Sequence, residues 1–159
     1  MNTIEIKKNF DEIRSRIAKV AEKFSKSADN IKLIAVSKTH SADILANAFE
    51  AGVCTFGENY VQELIEKHSK LIAMAIKPEW HFIGHLQSNK VKYIAEFIHT
   101  IHSVDSVKLA VEISKQAKKF DRTINVLLQI NTSGEDSKSG CEPSMAVSLA
   151  KEIIQLPNI

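Results

Sequence analysis

Lys38 is the residue best placed to do covalent chemistry. It closes the apolar run IKLIAVS (31–37) and so stands where a predicted strand ends. A lysine there loses hydration, which favours the neutral amine. A neutral amine can attack an aldehyde and form a Schiff base. The plainer role is a stem packed on apolar surface with its ammonium in water. Asn59, in FGENY, follows the next strand and a glycine. Its amide both donates and accepts, which suits a hydroxyl or carbonyl ligand, and it would serve equally as a turn or helix cap. Glu58 complements the start of the helix that follows.

The remaining polar residues give weaker signals. His81 and His85 are four apart, but WHFIG places them around a strand end rather than on one helical face. They are read as structural histidines, as are His99 and His102, and no metal site is expected. His40 follows Lys38 and could tune it. Gln87-Ser88-Asn89-Lys90 opens a predicted helix, where backbone N–H groups can hold an anion and Ser88 can equally act as a cap. The loop NTSGEDSKSG (131–140) lacks the P-loop pattern, and no dinucleotide fingerprint, nucleophile elbow or zinc-protease helix is present.

These residues need a scaffold that gathers them. Apolar positions Phe10, Ile13, Ile17, Val20 and Phe24 predict a helix over about 3–25. Five strands follow, at 31–37, 53–56, 80–83, 99–103 and 124–130, and the first is expected to be covered on both faces. Helices are expected from the Ser41 cap to Gly52, over the stripe Val61, Leu64, Ile65, His68, Leu71, from Gln87 to about Phe97, from Asp105 or Ser106 to about Lys119, and from Pro143 to about Gln155. Strands alternating with helices imply a parallel sheet with right-handed crossovers. Gly57, Gly84, Gly134 and Gly140 lie after strands, as do the polar clusters. Sites in such folds lie beyond the carboxyl ends of the strands.

Composition narrows the classes. The 159 residues are 44% hydrophobic and 25% charged, enough for a real core. Net charge is +2, with arginine only at 14, 16 and 122, so no nucleic-acid face is expected. No apolar run approaches the ~20 residues of a membrane span, and the charged start lacks a secretory core. A cytoplasmic location is expected, with Cys54 and Cys141 as reduced thiols.

The stretches LIAVSKTHSADIL, FGENYVQEL, WHFIGHLQSNKVKYI, IHSVDS and VLLQINTSGEDSKSG, from about residue 31 to 141, together resemble the pyridoxal phosphate homeostasis proteins of the YggS/PROSC type. That family is related to the N-terminal barrel of alanine racemase. The resemblance implies an α/β fold of the (β/α)8 TIM-barrel type, with about five of the eight β-α units (about 31–155) and an N-terminal helix in a single partial domain, 1–159. It implies pyridoxal 5′-phosphate held as a Schiff base on Lys38, with Asn59 lining the cofactor. It implies a carrier or regulator of cofactor supply, without robust catalytic turnover, whose recipients are cofactor-dependent apo-enzymes. The alternatives are a racemase-like enzyme, which would need a second base from a further domain, and a remnant that no longer binds the cofactor.

The length departs from the family. Eight units take roughly 200 residues or more. The family's serine-rich phosphate loop, its glycine–threonine turn and the arginine facing the pyridine nitrogen have no counterpart in the sequence. A fragment or a truncated product is expected. Family members are often monomeric, and an open sheet edge would give a shortened chain a route to association.

Overall fold

The computed structural model describes residues 2–135 and 137–159. Asp136, inside the 131–140 loop, lies outside the described residues. The elements alternate along the chain: α1 (Thr3–Lys23), β1 (Ala35–Val36), α2 (Ala42–Glu50), β2 (Thr55–Glu58), α3 (Val61–Ala73), β3 (Glu79–Phe82), β4 (Thr100–Val104), α4 (Val107–Lys119), β5 (Asn125–Leu128) and α5 (Ala146–Ile153). Short 3₁₀ turns occupy Ala28–Asn30, Ser88–Tyr93 and Pro143–Met145. Two compact units emerge, one of Met1–Gly57 with Lys67–Glu79 and one of Glu58–Glu66 with Trp80–Ile159.

In the first unit β1 pairs in parallel with β2, Ala35 opposite Phe56 and Val36 opposite Gly57. Leu45, Val53, Phe56 and Leu71 are fully buried. Each such side chain contributes about 1.5–3 kcal/mol through burial. α1 lays Ile6, Phe10, Ile17 and Ala21 inward, and the ring of Phe10 lies near Gly52, where a Cβ would sit 3.9 Å from it. The expected stripe is therefore turned. Ile13, Val20 and Phe24 are exposed, and the covered line runs through Ile6 and Ala21. β1 is also shorter than the apolar run. Only two residues pair, Ile31 is exposed, and Val36 is 51% exposed, so this strand is not covered on both faces.

In the second unit β3, β4 and β5 pair in parallel, with His81 opposite Thr100 and Thr100 opposite Asn125. Trp80, Phe82, Ile98, Ile101, Ile113 and Ile124 form its core. Ser106 caps α4, its hydroxyl accepting from the Leu109 N–H at 3.4 Å. Pro143 opens the last helical segment as expected, first as a 3₁₀ turn and then as α5. The helix predicted over 87–97 is instead a 3₁₀ turn followed by loose turns, with Val91, Ile94 and Ile98 buried. The guanidinium of Arg122 fastens that segment, donating to the carbonyls of Ala95 (2.9 Å) and Ile98 (3.0 Å). A planar fork holds its donors in a fixed geometry that suits two such acceptors.

Helix ends carry an unexpected feature. Beyond α1, α3 and α4 the chain turns left-handed at Ser25, Ala75 and Asp121, with φ of 52°, 59° and 51°. Each turn is closed by a bond one residue later: Lys26 to Ala21, Ile76 to Leu71 and Arg122 to Ala117. These are glycine-type closures built without glycine, at a cost of roughly 1–2 kcal/mol each. Gly52, with φ of 98°, makes the same closure after α2 in the usual way.

Candidate functional site

Lys38 stands at the end of β1, as the sequence predicts, on a tight turn from Ser37 to His40. The Ser37 N–H donates to the Gly57 carbonyl (3.0 Å), continuing the β1–β2 ladder. The Ser37 carbonyl accepts from the His40 N–H (3.2 Å) and from the ammonium of Lys67 (2.6 Å). Thr39 takes a left-handed φ of 68°, a conformation a β-branched residue rarely adopts. Such strain persists only where surrounding bonds hold it. Ser37 is buried and Lys38 exposed, so the turn is fixed from beneath while its lysine is open to solvent. The loss of hydration anticipated for Lys38 is thus not supplied by the residues around it.

Lys67 is the residue that sequence reasoning missed. It is 4% exposed, an ammonium almost wholly out of water. An ion in such a place must be hydrogen-bonded or paired. The available signal was its spacing, three after Leu64 and four before Leu71, both fully buried. That places it on the covered line of α3, although its charge suggests a solvated face.

In the second unit Asn59 follows β2. Its Oδ1 is buried and, among the described residues, has no hydrogen-bond partner. An acceptor left in that state costs about 1–3 kcal/mol, so a donor from a ligand would be favoured there. Gly84 explains how Asn59 is reached. A Cβ at Gly84 would lie 2.2 Å from the Asn59 carbonyl oxygen and 2.7 Å from its Cα. Only glycine lets the end of β3 pass the Asn59 backbone this closely, and the Ile83 N–H donates to the Glu58 carbonyl beside it (2.9 Å). Asn59 also lines a cavity of about 470 Å³ with Tyr60, His85, Gln87, Lys90 and Tyr93.

The 131–140 loop is organised by Asn131. Its Oδ1 accepts from the Gly134 N–H and the Ser133 hydroxyl, both at 3.1 Å, and its amide donates to the Glu135 carbonyl at 3.0 Å. Ser139 of that loop reaches His85 Nδ1 at 3.4 Å. His81 and His85 do not converge: His81 Nδ1 meets His102 Nε2 at 2.7 Å. Burial, and then the neighbouring His81, hold His102 below its ordinary pKa. Cys54 and Cys141 are both free thiols. Among the described residues, no helix is long and apolar enough to cross a membrane.

Comparison with known proteins places this arrangement. Residues 9–159 match the alanine racemase N-terminal domain family. The pyridoxal phosphate homeostasis protein of Pasteurella multocida is 41% identical over 154 residues, covering 97% of this chain and 66% of that protein. Its namesake from Escherichia coli K12 is 38% identical over 156 residues, covering 98% and 67%. The chain thus spans about two-thirds of the length of the curated relatives it matches. Among solved structures, a Bifidobacterium adolescentis protein described as unknown superposes with a TM-score of 0.88 at 36% identity, covering 99% of this chain and 67% of that one. PipY of Synechococcus elongatus, with pyridoxal phosphate bound, gives 0.75 at 35% identity, covering 89% and 66%. Alanine racemase from Streptomyces lavendulae, at 19% identity and a TM-score of 0.58, covering 87% and 35%, shares the fold alone.

Two substitutions test the geometry. Lys67→Met removes the charged donor to Ser37 and lowers the unfolding free energy by about 1.5–3 kcal/mol in urea titrations. Lys70→Met, on an exposed position of the same helix, changes it by less than about 0.5 kcal/mol. Equal effects of the two would refute the buried role of Lys67. Gly84→Ala forces the backbones apart and destabilises by about 1–3 kcal/mol. Gly134→Ala meets no atom within 4 Å and loses only what its φ of 69° demands, so a smaller loss is expected there.

Proposed function

Because the chain belongs to the pyridoxal phosphate homeostasis proteins, of the alanine racemase N-terminal type, we propose that it binds pyridoxal 5′-phosphate as a Schiff base on Lys38. Its five strand–helix units are part of a (β/α)8 barrel of the TIM type. The observation that carries the reading is the Lys38 turn. A strained, doubly bonded turn holds an exposed primary amine at the carboxyl end of a barrel strand, where such folds keep their sites.

The residues present suit the cofactor. The Lys38 amine can add to its aldehyde, forming a carbon–nitrogen double bond and releasing water. The unpartnered Asn59 oxygen calls for a donor, and the cofactor carries hydroxyl and ring N–H groups of that kind. Once bound, the cofactor supplies an electrophilic carbon that another amine can take over. The chain's part is to hold the Lys38 backbone still, so that capture and release change a side chain and leave the fold in place. That suits carriage to apo-enzymes in the cytoplasm better than turnover. Carriage requires reversible attachment, and the exposed Lys38 leaves the bond open to an incoming amine. By contrast, a racemase needs a second base opposite the first.

Added pyridoxal phosphate should give the purified protein the visible absorbance band of a protonated Schiff base, with one equivalent fixed by borohydride on Lys38. Lys38→Ala should abolish the band. Because Lys38 is exposed, the same variant should keep its stability within about 0.5 kcal/mol. A folded protein that never acquires the band, or a Lys38→Ala variant that keeps it, defeats the reading.

A further inference from the structure

One face of α1 is left bare in the first unit. Ile13, Val20 and Phe24 are 44%, 55% and 71% exposed, and Ile31, ahead of β1, is 46% exposed. At roughly 100° per residue the three helix positions fall within about 40° of one another. Ile13, Arg16, Ile17, Val20 and Ile31 line a groove of about 440 Å³. We propose that this groove is a docking site for an acidic amphipathic helix of another protein, laid along α1.

The spacing is that of a helix–helix seam. Ile6, Phe10, Ile13, Ile17, Val20 and Phe24 follow one another in alternating steps of four and three, a seven-residue repeat. The fold uses only part of that seam. Ile6 and Ala21 are buried, and Phe10 and Ile17 are half-buried, while the line through Ile13, Val20 and Phe24 meets solvent. Contiguous apolar surface of this kind, rimmed by polar residues, marks an interaction site. A groove beside an exposed helix ridge is also the shape that takes a second helix.

The charges on the rim select the partner. Arg16 and Lys23, both exposed, stand seven residues apart and about 60° and 80° round from Ile13 on one flank. Arg14 stands on the other flank, its guanidinium 5.8 Å from the centroid of the Phe10 ring. Glu12 is farther round than Arg16, and Asp11 and Glu22 lie on the far side of the helix. Flanking charges of this kind set partner choice in helix pairs. A second copy of the chain would bring this cationic rim against its like, which is destabilising. An anionic lipid surface calls for a polar face that is basic throughout, and Glu5, Asp11, Glu12 and Glu22 interrupt it. A helix with an apolar seam and Glu or Asp seven apart on its flank meets both the stripe and the rim.

The test uses the whole chain and a probe peptide of about three heptads, with Leu at the two seam positions and Glu on both flanks. The peptide's own charges keep it from pairing with itself at neutral pH. Titration should show saturable one-to-one binding in calorimetry, a gain of helix in circular dichroism and weakening as salt is raised. Arg16→Glu with Lys23→Glu should weaken binding by about tenfold or more, and a peptide carrying Lys in place of Glu should then bind that variant and not the parent chain. Val20→Ser with Phe24→Ser should weaken it by about as much. Ile4→Ser, at a position 82% exposed on the far side of α1, should leave it unchanged. Lys38→Ala should also leave it unchanged, which separates this surface from the cofactor reading. A folded chain with no saturable uptake of the acidic peptide overturns the proposal. So does equal binding of the Lys peptide by the parent chain, which would make the face merely adhesive. Self-association abolished by Phe24→Ser would assign the face to a second copy, and binding to phosphatidylserine vesicles without binding to the peptide would assign it to a membrane. Either result overturns the proposal as well.

Discussion

One buried ammonium, that of Lys67, governs how this protein holds the turn that carries Lys38. Lys67 reaches the Ser37 carbonyl from beneath, and Ser37 is both the last rung of the β1–β2 ladder and the first residue of the turn bearing Lys38. A cation kept from water costs several kcal/mol unless its donors are used. Any motion that lifts the turn from β2 would also strip a bond from that cation. The left-handed Thr39 needs such a restraint, because an unrestrained Ser37–His40 segment would relax to a commoner conformation.

A steric constraint serves Asn59 in the same way that a charge serves Lys38. At Gly84 the absence of a side chain lets two backbone segments touch, and the bond from Ile83 to Glu58 holds them there. The amide then keeps an acceptor oxygen that no described residue satisfies. Folds rarely leave a buried polar group unsatisfied, so this oxygen has capacity for a further donor. The two regions place different chemistry on similar foundations: a fixed backbone beneath a side chain with unused capacity.

Much of this was legible in the residues, for reasons that can be traced. The end of IKLIAVS located Lys38, because the run stops where the β1–β2 ladder gives way to a turn. FGENY located Asn59, because a glycine followed by polar residues marks the end of a strand. What stayed hidden depended on neighbours distant in sequence. Lys67 looks solvated until Leu64 and Leu71 are known to be buried around it. Gly84 reads as a turn glycine, although its φ is unremarkable and its necessity is steric. The helices that lead into Ser25, Ala75 and Asp121 gave no punctuation, since their left-handed turns lack glycine. The predicted helix at 87–97 failed because its apolar residues pack as turns that Arg122 pins through carbonyls.

The contrast between Lys38 and Lys67 shows where selectivity for an aldehyde would come from. Both carry the same amine, and both contribute to the same turn. Lys67 spends its hydrogen-bonding capacity inside the protein and is out of reach of a reagent in solution. Lys38 is exposed, and its backbone is already fixed by the turn. Access and backbone placement therefore distinguish the two lysines. On the carrier reading, an exposed amine suits reversible attachment, whereas an enzyme that retained its cofactor through many turnovers would enclose it.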